Sequence, residues 1–220
     1  AFNFASLNKN LMEYSEKQLQ IMKKAEKLFA EKGYNGTSVR DIAEKAGINL
    51  AMVSYYFGSK EKLLEAVFDY RIGMTKQLLS DILHKTSLSS LEKMNLLIDV
   101  YVKKIIEQQP FNKILAREQV VNTTGHTANL ILQMKRTYMD TVLSLIREGQ
   151  KKGEFQKHID VSLLMTTIIG TANHLVTTKH YYRQLNNYEE LSDEAFNKLI
   201  EKKLRNHIKF ILKASLTYES

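Results

Sequence analysis

Apolar residues recur along this chain at intervals of three and four positions, the period of helices that bury one face. Ile21, Ala25, Leu28 and Phe29 predict an amphipathic helix that stops at Gly33. Ile42, Ala43 and Ala46 mark a second, narrower stripe; Ser38 precedes Asp41 by three residues, a capping-box spacing with Asp in place of the usual Glu, and Gly47 closes the segment. Asn49 is placed to cap a third helix, roughly Leu50 to Tyr56, anchored by Val53 and Phe57. Ser59 caps a fourth, which starts at Lys60 and runs through Leu63, Leu64, Val67 and Phe68 toward Leu79 and Leu83. Four more helical stretches follow, at about Ser90 to Gln108, Thr127 to Lys152, Asp160 to Gln184 and Ser192 to Leu216, with a short helix after Pro110. No alternating strand pattern with hairpin dipeptides interrupts them, so the expected fold class is all-α.

The second and third helices meet at a turn, Gly47 to Asn49, too short for anything but a steep crossing. That is a helix-turn-helix, the arrangement that lays its second helix in a DNA major groove. Leu50, Ala51, Ser54, Tyr55 and Tyr56 fall on or near its outer side, a mixture of methyl, hydroxyl and phenol groups suited to thymine methyls, base edges and phosphate oxygens. Ser59 and Lys60 bring free backbone N–H groups, a positive dipole end and an ammonium to one place, where an anion such as a DNA phosphate would bind. Arg40 is the only guanidinium of the head and the first choice for a bidentate contact with guanine; ion pairing with Asp41 and Glu44 is the competing role.

Net charge is +8 over 220 residues, which favours nucleic acid, but residues 1 to 70 hold ten Lys/Arg and nine Asp/Glu, so +7 lies beyond the head. DNA affinity is then expected from a few placed donors or from a general field of the remainder. The chain has no cysteine and no apolar run approaching the roughly 20 residues of a membrane span, and its start lacks signal-peptide character; a soluble cytoplasmic protein with no membrane partner is expected. The six histidines are scattered, with no metal-ligand spacing, nucleophile constellation or phosphate loop, so no enzyme, catalytic residue, metal or cofactor is expected.

On Ala30 to Gly36, Thr37-Ser38-Val39-Arg40-Asp41-Ile42-Ala43, Ala46-Gly47-Ile48 and Tyr55-Tyr56-Phe57-Gly58-Ser59-Lys60-Glu61-Lys62-Leu63, the chain resembles the tetracycline-repressor (TetR/AcrR) family of bacterial transcription regulators. Beyond this first third, only helix order and the junction Glu148-Gly149-Gln150-Lys151-Lys152-Gly153-Glu154-Phe155 are similar. The resemblance implies an N-terminal extension (1–14), a three-helix DNA-binding domain with the helix-turn-helix (15–61), and a C-terminal helical effector-binding and dimerisation domain (62–220). It implies phosphate contacts by Thr37, Ser38, Tyr55, Tyr56 and Lys60, and base approach by Arg40 and the first half of the recognition helix. Many members carry Ser or Thr and then Gly where this chain has Asn49, Leu50 and Ala51, so the operator sequence does not carry over.

The Asp160 to Gln184 stretch is apolar around most of its circumference near Leu163 to Ala172, more than one buried face needs. Phe196, Ile200, Leu204, His207, Ile208 and Ile211 give the last helix its own stripe, and the two helices are expected to pair with their symmetry mates, Gly170 allowing close approach. Such a homodimer implies two recognition helices ~34–36 Å or a multiple apart on a palindromic double-stranded operator. The resemblance also implies an unknown small-molecule effector, with Tyr101, Phe111, Met134, Tyr138, Met165 and His174 as pocket candidates and ordinary core packing as the rival role of each. The expected function is thus a ligand-released repressor. An all-helical carrier or interaction protein with a vestigial head is the alternative, discriminated by a salt-dependent electrophoretic shift.

Overall fold

Short polar side chains fix most of the helix starts. Ser15, Ser38, Asn49, Ser89, Asp160 and Ser192 each accept a hydrogen bond from a backbone N–H of the first turn, and Ser59 accepts one from Lys62 N–H at 3.1 Å. In the computed structural model, which describes residues 14–217, these caps open seven of ten helices, and there is no strand among the described residues. They are α1 (Glu16–Lys32), α2 (Val39–Ala46), α3 (Leu50–Phe57), α4 (Lys60–Leu83), α5 (Ser90–Glu107), α6 (Gln109–Val121), α7 (His126–Lys151), α8 (Val161–Thr177), α9 (Lys179–Leu185) and α10 (Asp193–Leu216). The expected 1–14 extension lies outside the described residues except for Tyr14, whose ring meets Tyr70 edge-on at 6.2 Å.

By contact the chain divides into two units: residues 1–80 with 109–137, and 81–108 with 138–220. Residues 62–80 and 109–137, expected within one C-terminal domain, therefore pack with the head. In the first unit Ile21, Ala25, Phe29, Ile42, Val53, Leu63 and Phe68 form one core with Phe111 and Ile114 of α6. An acid sits among the apolar residues of α1, and its partner is 45 residues away: Arg71 of α4 donates to both oxygens of Glu26 at 2.8 Å, with its guanidinium 5.9 Å from the Phe111 ring centre. Nothing at local spacing announces this pair.

In the second unit α5 packs on α10 and α8. Glu154 accepts from Leu91 N–H at 3.2 Å and so helps cap α5, while buried Lys93 donates to both oxygens of Glu148 at 3.1 Å. Phe155 closes the junction noted in the sequence by packing its ring against Gly149, so closely that a Cβ there would collide with it.

Two expectations are corrected here. The Asp160 to Gln184 stretch is not one helix: Thr177 and Thr178 turn their hydroxyls back onto the carbonyls of Asn173 and His174, at 2.7 and 2.6 Å, and Thr178 leaves helical geometry at φ −106° and ψ 16°. Such back-bonding bends helices. The stripe Phe196, Ile200, Leu204 and Ile208 is not an outer surface either. All four are buried within the protomer, where α10 packs on α5 and α8; of the other two, His207 is exposed and Ile211 half-buried. An amphipathic stripe states that a face is covered, not which chain covers it.

Candidate nucleic-acid interface

The head is built from short-range hydrogen bonds that the sequence encodes directly. Ser38 N–H donates to Asp41 Oδ2 at 2.8 Å and Asp41 N–H donates to Ser38 Oγ at 3.1 Å, a reciprocal box that starts α2. Those bonds from Ser38, aided by Lys32 at 3.2 Å, hold the Asp41 carboxyl down at about 2. Gly47 stops the helix in the left-handed region (φ 63°, ψ 42°), a conformation a Cβ would penalise. The Gln20 amide reaches across from α1 to Ala46 O at 3.0 Å, so the end of α2 is tied to α1. Two residues later Asn49 Oδ1 accepts from Ala51 N–H at 3.0 Å and α3 begins.

Only Val53 and Phe57 of α3 are buried. Leu50, Ala51, Ser54 and Tyr55 face solvent, Tyr55 at 83% exposure, and Tyr56 is half-buried with its ring edge-on to Tyr55 at 5.1 Å. Asn49, Ser38 and Arg40 are exposed as well, and Arg40 has no ion pair among the described residues, since Asp41 is engaged by Ser38 and Lys32. A flat, nearly uncharged helix face flanked by an open guanidinium can approach base edges without bringing carboxylates to the phosphates.

Two candidates lie elsewhere than expected. Thr37 is 1% exposed, its hydroxyl turned to Gly33 O at 2.8 Å and Leu28 O at 3.2 Å, so its side chain closes the α1–α2 loop and offers nothing to DNA. Lys60 spends two of its three ammonium protons on Tyr34 O and Thr37 O, each at 2.9 Å, with the ammonium 4.1 Å from the Tyr34 ring centre. It braces the same loop from α4 and keeps one N–H for an anion. Sequence spacing placed Lys60 at a helix start but could not show carbonyls 23 and 26 residues upstream.

The six pocket candidates fall in different units. Phe111 is buried against Phe68 with ring centres 5.1 Å apart, and Met134 is buried, both in the first unit. Tyr101, Tyr138, Met165 and His174 are in the second, where His174 is exposed. Tyr101 is distinctive: its hydroxyl is sealed from solvent with no hydrogen-bond partner, and burial, then Tyr138, pushes the phenol above its usual value. An open depression of about 570 Å³ along α7, lined by Asp140, Leu143, Ser144, Arg147, Glu148 and Lys151, contains none of the six. No group of three or more potential metal ligands occurs among the described residues.

Known proteins share this organisation. The family model for bacterial regulatory proteins of the tetR family matches residues 21–67, and a tetracyclin repressor-like C-terminal domain matches residues 87–177. The fatty acid metabolism regulator protein of Bacillus subtilis is 26% identical over 74% of this chain and 82% of its own. Among solved structures, the ketosteroid regulator KstR2 of Mycobacterium tuberculosis aligns with TM-score 0.73 at 19% identity over 94% of this chain and 98% of its own. FadR of Bacillus subtilis, solved in complex with stearoyl-CoA, aligns with TM-score 0.64 at 22% identity over 86% of this chain and 96% of its own. With the helix-turn-helix in the first match and the helical remainder in the second, the chain belongs to the tetR family of bacterial regulatory proteins and is a DNA-binding transcription regulator, not an enzyme.

Proposed function

We propose that this regulator is a repressor that holds a palindromic operator as a homodimer and is released by an acyl-CoA. The observation that carries the DNA reading is the outer face of α3, where Leu50, Ala51, Ser54 and Tyr55 are exposed over two buried anchors beside an unpaired Arg40. Ser38, Tyr55, Tyr56 and the remaining N–H of Lys60 would take phosphates; Arg40, Asn49, Leu50 and Ala51 would take bases.

The homodimer reading rests on α8. Its 17 residues contain no Asp, Glu, Lys or Arg, yet Leu163 (64% exposed), Thr166, Thr167, Ile169 and Gly170 face solvent. A charge-free helix exposing apolar side chains has the chemistry of an interface core. Leu163, Thr167, Gly170 and His174 share one outward stripe of α8, and Lys203, His207, Phe210 and Ala214 share one of α10, with Phe210 72% exposed. These stripes, rather than the buried Phe196 series, would meet their symmetry mates, and nothing lies within 4 Å of a Cβ built on Gly170.

The effector class comes from the stearoyl-CoA held by the Bacillus relative, together with the Tyr101 hydroxyl. A sealed donor without an acceptor destabilises the empty protein and is relieved by a ligand carbonyl, such as that of a thioester. To move the protein from mostly bound to mostly released, the acyl-CoA must prefer the released state by around 5.5 kcal/mol.

Operator selection from random duplexes followed by titration in rising salt tests both halves. The expected result is a palindrome bound with a steep log–log salt slope, and release on adding stearoyl-CoA. No retention above nonspecific level sinks the DNA reading; retention that acyl-CoAs leave unchanged sinks only the effector class.

A further inference from the structure

We propose that α6 carries a second contact for the DNA backbone, in which Lys113 and Arg117 take phosphates flanking the half-site read by α3; the inference rests on the DNA reading above. Charge first points to α6. Residues 1–80 hold twelve Lys/Arg and nine Asp/Glu, and residues 109–137 hold four and one. Packed as one unit, the two segments carry +6 of the net +8. Half of that excess comes from 109–137, outside the helix-turn-helix. The segment's single acid, Glu118, is buried, its carboxylate accepting from the Asn122 amide at 2.6 Å.

Geometry brings this charge to the edge of the head. Phe111, Ile114 and Glu118 form the buried face of α6, and Lys113 and Arg117, one turn apart, share an exposed stripe beside it. The Arg117 guanidinium lies on Gly33, the cap of α1, so closely that a Cβ there would collide with it. Gly33 O is held by the Thr37 hydroxyl at 2.8 Å, and the carbonyls of Tyr34 and Thr37 are held by Lys60, whose remaining N–H is open to an anion. Arg117 therefore borders the short loop that ends at Ser38, a phosphate candidate, and Lys113 extends that border by one helical turn, about 5.4 Å.

Unspent donors select the occupant. Neither Lys113 nor Arg117 has a hydrogen bond or ion pair among the described residues. Burial, then Glu61, Glu118 and Glu65, holds the Tyr34 phenol of this loop above its usual value, so carboxylates stand close by, yet none of them pairs with either cation. An ammonium and a guanidinium side by side, with all their N–H groups free, match phosphate oxygens. A duplex longer than the half-site continues past Ser38 and Lys60, and its flanking phosphates are the anions nearest to this stripe.

Titration of the full chain against a random-sequence duplex of about 40 base pairs in rising salt tests the contact, because backbone contacts need no operator. K113A/R117A should bind at least about tenfold more weakly in low salt and flatten the log–log salt slope by about two units per protomer, with unchanged circular dichroism and Tm. K113R/R117K, which keeps both charges, should restore slope and affinity. K135A/R136A removes the same charge from the α7 part of the segment and should change the slope by less than about one unit. Equal losses in the two alanine pairs would make α6 a share of a general field and overturn the contact. An unchanged slope in K113A/R117A would overturn it too, leaving the stripe to solvent or to an acidic protein. A wild-type chain that holds no duplex even in low salt sinks the contact together with the DNA reading. One that holds random duplexes but selects no operator sinks the repressor reading alone.

Discussion

At the scale of single residues, the head is held by groups whose chemistry is fixed by one or two bonds. Thr37 resembles a phosphate contact by position and is a buried clamp by geometry. Replacing it by Val keeps the shape and strands the carbonyl of Gly33, so T37V should lose about 2 kcal/mol of stability in urea unfolding. Its DNA affinity per folded molecule should stay unchanged. A T37V protein of full stability that binds weakly would return this residue to the interface. Asp41 gives a pH signature. Its carboxyl is lowered from an ordinary value of 3.8 to about 2, so the box favours the folded state above about pH 4 and loses that contribution as the pH falls toward 2. The Tm gap between wild type and D41N should therefore be widest above pH 5 and narrow steadily below pH 4; a constant gap would mean that the Ser38 bonds do not depend on the carboxylate charge.

At the scale of elements, the caps were legible because each is settled within three residues: Ser38 with Asp41, Gly47 after Ala46, Asn49 before Leu50. The helix-turn-helix follows from them almost without tertiary information. What spacing does not reveal is the far end of a long-range bond, as with Glu26 and Arg71, or Lys60 and the carbonyls of the α1–α2 loop. The break in the Asp160 to Gln184 stretch is hidden for a related reason: its apolar pattern runs on unbroken, while two adjacent threonines turn their hydroxyls onto the His174 carbonyl and bend the helix. The Glu26–Arg71 pair sets α1 against α4 and is little exposed, so E26A, which abandons a guanidinium, should cost about 3 kcal/mol. The isosteric apolar pair E26L/R71M should recover most of that loss in the same unfolding measurement. Failure of the double variant to recover would mean that the ion pair, not the packing around it, specifies the α1–α4 contact. On α3 the expected outcomes differ by residue. Y55A should weaken binding to every duplex, whereas R40A should mainly relax preference at one operator position, by about 1–3 kcal/mol of discrimination. Equal losses for R40A on all sequences would make it a phosphate contact.

At the scale of the whole molecule, charge and self-association decide how a head of net +1 achieves specific binding. One such head makes few phosphate contacts, and two heads joined by a seam bind as a bivalent unit, the second docking at the high effective concentration set by the first. Operator affinity should then depend on residues that never touch DNA. Leu163 and Phe210 project outward on α8 and α10, and a glutamate at each would put four carboxylates into the proposed twofold contact, whose outward stripes carry none. L163E/F210E should fold with unchanged helicity, sediment as a monomer, and bind the full palindrome no better than a half-site, at least about 100-fold below wild type. The buried series on α10 offers the contrast, because I200E or L204E should unfold the second unit rather than dissociate it. A charged double variant that remains dimeric would move the seam off α8 and α10. One that is monomeric yet holds the palindrome at wild-type affinity would separate operator recognition from twofold symmetry altogether.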